Sequence, residues 1–245
     1  MTGPLKRHAR CKYRALVVAK MSKIPYVCLM QDSFVHKGKR KILINYLQEK
    51  IGIGDQNVLK AMNTVPRHLF LESIFEDFAY EDRAFPILAK QTISHPSTVA
   101  EQTELLELSA KEKVLEIGTG CGYQTAVLVT MGALVYTVER QKDLYEFSTR
   151  KLREMHLRPS FQSFGDGFAG LPSFAPFDKI LVTCGAEVLP TQLLHQLKVG
   201  GRMVIPLGKT EEQILTRFTK RSEKEFEKEE FGAYKFVPML SSTNR

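Results

Sequence analysis

The chain has 245 residues, 43% hydrophobic and 25% charged, a composition typical of a globular protein with one sizeable core. No apolar run approaches the ~18 residues that a membrane-spanning helix needs, which argues against a membrane protein. The net charge of +8 comes almost entirely from residues 1–30, which carry seven basic residues and no acidic one, so the nearly neutral remainder is not expected to bind nucleic acid.

Residues 1–30 form a basic segment that we expect to be a disordered tail. Its apolar run, residues 15–19, is shorter than the ~7–15 apolar residues of a signal peptide. A transit peptide remains an alternative, and so does an upstream extension with Met21 or Met30 as the true initiator.

The four cysteines show no pairing or spacing typical of a metal site, and the six histidines are scattered along the chain. Isolated cysteines in a chain of this size indicate a reduced, cytoplasmic protein. We therefore expect no metal cofactor.

Residues 31–112 are predicted to form a helical N-terminal part. A first helix ends at Gly52, and a second begins with Asp55 as its N-cap and breaks at Pro66. A third helix is predicted with Ser97 as its cap. The predicted apolar face of the first helix consists of Ile42, Leu43, Tyr46 and Leu47.

From residue 113 onward, short apolar runs alternate with amphipathic segments. This alternation predicts an α/β fold with a doubly wound, mostly parallel sheet, here residues 113–245 of a single domain that spans 31–245. The predicted strands are residues 113–117, 133–139, 160–164, 177–184 and 202–207. The predicted helices are residues 123–132, 141–157 and 189–201.

Two further segments, residues 212–220 and 234–240, alternate like the strands of a terminal antiparallel pair. The charged segment between them, residues 221–230, is predicted to be a hairpin loop or a solvated face. We assign it no function.

The turn after the first of these strands reads EIGTGCGY, residues 116–123. The dinucleotide fingerprint would need glycine at position 123, where this chain has Tyr123. The carboxylate of Glu116 also opposes a pyrophosphate, which favours a site without a nearby anion. The turn instead suits a cofactor with a cationic end, such as S-adenosyl-L-methionine.

Acidic residues follow the next two strands as well. Glu139 can accept hydrogen bonds from ribose hydroxyls, and Asp166 lies where an adenine amino group could bind. Alone, each could be a surface charge or part of a turn. Together they favour a methyltransferase over a nicotinamide enzyme. The expected cofactor-binding residues on these strand ends and turns are Glu116, Gly118, Gly120, Cys121, Gly122, Glu139, Asp166 and Gly167.

Over roughly residues 35–240 the chain resembles the protein-L-isoaspartate O-methyltransferases. The glycine turn marks only the superfamily, whereas QTIS with the upstream Val-Pro-Arg element is specific to this family. The matching segments are VPRHLF (65–70), AYEDRAFPI (79–87), QTISHP (91–96), VLEIGTGCGYQTAVL (114–128), GDG (165–167), QLKVGGRMVIPLG (196–208) and FVP (236–238).

The resemblance implies methylation of the free α-carboxylate of isoaspartyl residues in damaged proteins, with isoaspartyl peptides as partners. It implies that Ser94 is the catalytic residue, and we expect Thr183 to contact the substrate too. By the same resemblance, Gln91, Thr92 and Ile93 are expected to line the cofactor and close over it. Without the resemblance, Ser94 would be interpreted as a helix cap. The chain departs from the family pattern at Lys90 and Ser97, and Cys121 is interpreted as a packing residue. We expect a monomer.

Two alternatives remain. Another methyltransferase of the superfamily could act on RNA or a small molecule, although amide- and base-methylating enzymes usually carry an Asn/Asp-Pro-Pro-aromatic signature where this chain has VTCGAE, residues 182–187. A non-catalytic S-adenosylmethionine-binding module could instead dock on RNA through the basic tail. A salt-sensitive RNA interaction that depends on residues 1–30 would support it.

Overall fold

The computed structural model describes residues 32–209 and 211–244. The predicted basic tail, residues 1–30, lies outside the described residues. Contacts group residues 34–245 into one compact unit. Within the described ranges, no helix has the length and apolarity to cross a bilayer.

The N-terminal part begins with helices α1, Phe34–Tyr46, and α2, Gln56–Thr64. The predicted boundaries between them are confirmed. A π-helical turn, Leu47–Ile51, continues α1 and ends at Gly52, which lies in the left-handed region. Asp55 accepts hydrogen bonds from the first backbone N–H groups of α2. The predicted apolar face of α1 is only half right. Ile42 and Tyr46 are exposed, because the buried face also includes polar residues. That face consists of His36, Arg40 and Leu43, and Leu47 continues it in the turn that follows α1.

A two-stranded hairpin precedes helix α3, Pro96–Leu105. Its strands are β1, Phe85–Pro86, and β2, Thr92–Ile93. The predicted cap at Ser97 is wrong, because Ser97 lies inside α3 and its backbone N–H donates to Asp82 Oδ1 at 2.9 Å. A carboxylate from an upstream loop thus satisfies the helix start, so no serine hydroxyl is needed there.

A seven-stranded sheet forms the centre of the fold, in the order β5-β4-β3-β6-β7-β8-β9. Strands β3 to β7 run parallel and β7, β8 and β9 are antiparallel, so the predicted doubly wound, mostly parallel sheet with a terminal antiparallel pair is confirmed. The strands are β3 Lys113–Ile117, β4 Leu134–Glu139, β5 Phe161–Phe164, β6 Phe177–Val182, β7 Leu197–Leu207, β8 Gln213–Lys220 and β9 Phe226–Tyr234. The interleaved helices are α4 Tyr123–Thr130, α5 Lys142–Glu154 and α6 Thr191–His195.

Two predicted boundaries near the C-terminus are wrong. The helix predicted over 189–201 is only the short α6, and β7 begins at Leu197. The second antiparallel strand is the charged segment, as β9, and not residues 234–240. Strand β9 lies at the sheet edge with most side chains exposed, so it needs no apolar alternation.

The strand order places β3 between β4 and β6. The chain winds from β3 to β5 in one direction and then returns to the other side of β3. Ligands of open α/β sheets bind at such a reversal, beyond the carboxyl ends of the strands. The loops after β3, β4 and β6 meet there.

Candidate active site

A cavity of about 970 Å³, counted with its open mouth, lies at this reversal. Its size and mixed lining suit a ligand of cofactor dimensions. It brings together most of the predicted site residues, which lie on β2 and the residues flanking it, at the end of β4, and on the loops after β3, β5 and β6. These are Gln91, Thr92, Ile93, Ser94, Gly118, Gly120, Cys121, Glu139, Gly167 and Thr183.

The glycine turn forms the floor of this cavity. Gly118 and Gly120 have φ values of +94° and +55°, a region that disfavours other residues. A Cβ atom on Gly118 would lie 2.5 Å from Thr183 Oγ1. That hydroxyl donates to the carbonyl oxygens of Ile117 and Gly118, at 2.9 and 2.7 Å. Position 118 therefore requires glycine both for its backbone conformation and for the close packing of Thr183 against it.

Glu139 lies at the end of β4 with its carboxylate at the cavity wall. Oε2 accepts from the N–H of Gly120 at 2.8 Å, and Oε1 accepts from that of Gln141 at 2.8 Å. Burial raises the pKa of Glu139, and the two N–H groups partly oppose this shift. Each oxygen keeps a lone pair for a further donor.

Glu116 lies outside the cavity wall. It is fully buried within β3, and its Oε2 accepts from Thr125 Oγ1 on α4 at 2.5 Å, while Oε1 has no partner among the described residues. Burial raises its pKa to about 7. Its carboxyl group therefore couples the strand before the glycine turn to the helix after it.

This burial predicts a pH-dependent stability. The folded protein keeps the Glu116 proton up to a pKa of about 7, whereas the unfolded chain releases it near 4.5. The stabilisation by the protonated Glu116 carboxyl is complete below pH 4.5 and is lost as the pH rises from 4.5 through 7. The free energy of unfolding should decrease by about 3 kcal/mol over this window. Urea unfolding at pH 5 and pH 7.5 should show about 2 kcal/mol of this decrease, because the unfolded carboxyl is already partly ionised at pH 5, and Glu116→Gln should remove most of the difference. An unchanged difference in the variant would exclude Glu116 as its source.

Two other predicted residues also lie behind the wall. Gly122 is the left-handed N-cap of α4 and packs against Leu152 of α5. The oxygens of Asp166 accept from the backbone N–H groups of Phe168 and Ser242, at 2.9 and 2.8 Å. Asp166 thus connects the loop after β5 to the C-terminal segment.

Ser94 lies between β2 and α3 and lines the cavity. The N-cap position of α3 belongs to His95 and has no side-chain cap, so Ser94 does not cap this helix. Its carbonyl oxygen accepts from Arg67 Nη2 at 2.7 Å. Its hydroxyl has no hydrogen-bond partner within the described ranges and is free to meet a ligand.

A second cavity adjoins the first and shares Thr92, Ser94, Thr183 and Val237 with it. It opens between the start of α3 and the segment after β9. His95 and Lys235 are among its lining residues, and no carboxylate is. Ser94 is therefore one of the residues at which a ligand in the first cavity would approach a ligand in the second.

Sequence reasoning missed part of the wall. Residues 237–240 cover the first cavity, and Val237 and Met239 pair with the backbone of Gly185 after β6. Gln124 also lines the cavity, with its Oε1 lacking a partner among the described residues. Its signal was weak, because a glutamine early in an apolar helix has no distinctive spacing. The unpartnered oxygen of Gln124, the glycine turn and the carboxylate of Glu139 line one cavity. This set of hydrogen-bond acceptors fits a nucleoside with a cationic amino acid tail.

Cys121 and Cys184 line the cavity without being reactive. Burial raises the pKa of their thiols to about 11 and about 12. Both stay protonated at neutral pH and are poor nucleophiles. This agrees with the interpretation of Cys121 as a packing residue.

Sequence comparison relates this geometry to one group of enzymes. A sequence model of the family described as protein-L-isoaspartate(D-aspartate) O-methyltransferase matches residues 38–244. Proteins named protein-L-isoaspartate O-methyltransferase from Christiangramia forsetii and Flavobacterium johnsoniae are 55% and 54% identical over 215 residues, which is 88% of this chain and the whole of each relative.

Solved structures agree with the sequence relatives. One described as a protein-L-isoaspartate O-methyltransferase is 30% identical with a TM-score of 0.74, covering 81% of this chain and 65% of that one. A Plasmodium falciparum structure described as the same kind of enzyme, in complex with S-adenosyl-L-homocysteine, is 25% identical with a TM-score of 0.72, covering 82% and 98%.

Proposed function

The chain belongs to the protein-L-isoaspartate O-methyltransferase family, and from that premise we propose how its residues carry out the reaction. The enzyme transfers a methyl group from S-adenosyl-L-methionine to the free α-carboxylate of L-isoaspartyl residues in damaged proteins. The ester then cyclises to a succinimide that can reopen to normal aspartate. The observation that carries the residue assignment is the meeting of Ser94 and the glycine turn at one cavity.

The first cavity holds the cofactor in this proposal. S-adenosyl-L-methionine supplies a methyl group on a sulfonium centre when bound. Gly118 and Gly120 let it lie close to the backbone, and Glu139 accepts from the ribose hydroxyls. Residues 91–93 close over it together with residues 237–240. The cofactor is not contacted by Glu116, Gly122 or Asp166, which hold the glycine turn and its neighbouring loops in place.

The second cavity holds the isoaspartyl peptide, and Ser94 lies where the two ligands meet. The Ser94 hydroxyl donates a hydrogen bond to the substrate carboxylate and aims one of its oxygens at the methyl carbon. Thr183 also lines both cavities, and its hydroxyl, which donates to the backbone of the glycine turn, presents its oxygen and methyl group to the ligands. The unpartnered state of the Ser94 hydroxyl and the lack of carboxylates in this cavity support these roles.

No general base is required. A substrate α-carboxylate with a pKa near ~3.5 is already ionised at neutral pH. Its oxygen forms the new bond to carbon as the carbon–sulfur bond breaks, and the electron pair stays on sulfur. Catalysis then rests on alignment of the two groups. Opposite charges cancel during the transfer, so a cavity that excludes water favours it.

A peptide pair tests the substrate assignment. Purified enzyme receives methyl-labelled S-adenosyl-L-methionine with one of two peptides that differ only in an isoaspartyl or an aspartyl residue. We expect label in the isoaspartyl peptide alone, as an ester that mild base removes. Equal labelling of both peptides, or base-stable label, would contradict this assignment and would favour another acceptor of the superfamily.

We also propose a cytoplasmic, monomeric enzyme. Among the described residues, Cys121 and Cys184 are unpaired, which supports a reducing compartment. Light scattering of the purified chain measures its mass directly, and a value of about twice the 27.8 kDa of one chain would contradict the monomer.

A further inference from the structure

Arg67 is a fully buried cation beneath the active-site segment. It begins the short helical turn Arg67–Phe70, and its side chain is 0% exposed. Burial of a guanidinium is costly, and here it lowers the pKa of Arg67. Within the described ranges Arg67 forms no ion pair with a carboxylate, so a salt bridge does not explain its position.

The contacts of Arg67 join three separate segments. Its Nε donates to the carbonyl oxygen of Ala79 at 3.0 Å, and its Nη2 donates to that of Ser94 at 2.7 Å. The guanidinium also stacks on Tyr123, 4.9 Å from the ring centroid. Tyr123 begins α4 directly after the glycine turn and lines the cofactor cavity. One side chain therefore connects the Ser94 backbone to the cofactor turn.

The segment that carries Ser94 needs such a tether. Ala89 and Lys90, just upstream, have φ values of 55° and 56°. This left-handed region is unfavourable for residues other than glycine, so the surrounding structure must impose the conformation. Downstream, the N–H of Ser97 is held by Asp82. The strong bond from Arg67 to the Ser94 carbonyl lies between these two points.

We propose that Arg67 is a positioning residue that fixes the Ser94 hydroxyl relative to the bound cofactor. This inference rests on the role of Ser94 proposed above. Displacement of a reacting group by about 1 Å can cost about 10²-fold in rate. Arg67 reaches three carbonyl oxygens, that of Ala79 through Nε and those of Arg83 and Ser94 through Nη2, while its face covers an aromatic ring. A lysine ammonium is a single point and cannot reproduce this geometry.

The test compares Arg67→Lys, which keeps the charge, with Arg67→Met, which removes it. We expect both to lower kcat for an isoaspartyl peptide by about 10- to 100-fold, while the Kd for S-adenosyl-L-homocysteine stays within about threefold. Thermal unfolding is measured for each variant, and Arg67→Lys carries the test where Arg67→Met does not fold. Wild-type kcat in Arg67→Lys would show that charge, and not geometry, is what matters, and would overturn the proposal.

Arg40 offers a matched control. It is also buried, and its Nη1 donates to Tyr80 Oη at 2.9 Å. It makes no contact with Ser94 among the described residues. Arg40→Met should lower stability while kcat stays near wild type. An equal decrease in kcat would mean that loss of any buried arginine disturbs the site and would contradict a specific role for Arg67.

A double-mutant cycle separates positioning from general disruption. If Arg67 acts through the Ser94 hydroxyl, Arg67→Lys should lower kcat by no more than about threefold in the S94A background. The same 10- to 100-fold loss in both backgrounds would overturn the proposal. Failure of the Ser94 assignment itself gives a different result, because Ser94→Ala alone would then keep full turnover.

Discussion

Replacing Ser94 with alanine should lower kcat for an isoaspartyl peptide by between about 10² and 10³-fold, with cofactor affinity unchanged. Ser94 lines both cavities, and its hydroxyl has no hydrogen-bond partner among the described residues. A hydroxyl that donates to a carboxylate is worth about 1.5–3 kcal/mol, and loss of aim adds to this. Steady-state kinetics with labelled methyl transfer gives kcat, and calorimetry with S-adenosyl-L-homocysteine gives Kd.

Two further variants sharpen this result. Ser94→Thr keeps a hydroxyl and should recover part of the lost turnover, whereas exposed Ser109, remote from both cavities, should tolerate alanine without loss. Undiminished kcat in Ser94→Ala would end the assignment. A parallel rise in the cofactor Kd would instead place Ser94 among the residues that hold the cofactor.

The parallel strands were the most predictable part of the fold. Most residues of 113–117 and 134–139 are buried, on both faces of the sheet, so these strands appear in the sequence as short, mainly apolar runs. The strand-end residues Glu139 and Gly118 could be assigned to the cavity for a related reason. A parallel sheet places the carboxyl ends of its strands along one edge, and the order of strands decides which loops meet.

The C-terminal region resisted prediction because its pattern reflects tertiary context. Strand β9 is charged since it lies at a solvent-exposed edge. The apolar residues 236–239 that follow it look like a strand, yet their burial comes from contact with Gly185 and the cavity. Local periodicity cannot distinguish these two sources of burial.

The same limit applies to the positions of acidic side chains. A carboxylate next to a glycine turn suggested contact with the cofactor, but alternation along β3 directs Glu116 towards α4 and away from the cavity. Asp166 follows β5, and one of its carboxylate oxygens accepts a hydrogen bond from the backbone N–H of Ser242. That partner lies 76 residues further along the chain, beyond the reach of any local motif. Of these three acidic residues, only Glu139 both ends a strand and lines the cavity.

Replacing Glu139 with alanine should weaken binding of S-adenosyl-L-homocysteine by between about 10² and 10³-fold. Its oxygens each hold one backbone N–H at 2.8 Å and retain lone pairs for the ribose hydroxyls. Charge-assisted hydrogen bonds of this kind contribute about 1.5–3 kcal/mol each. The variant also loses the link between the end of β4 and Gly120 of the glycine turn. Calorimetry with the demethylated cofactor measures the effect directly.

The kinetic pattern should differ from that of Ser94→Ala. If Glu139 only holds the cofactor, the KM for S-adenosyl-L-methionine rises while kcat at saturation stays close to wild type. Glu112 is a suitable control. Its carboxylate also accepts a backbone N–H, from Ser109 at 2.7 Å, but it lies at the amino-terminal end of β3 and does not line the cavity. Glu112→Ala should bind normally. Wild-type affinity in Glu139→Ala would place the ribose elsewhere and would remove the main support for the cofactor position in this cavity.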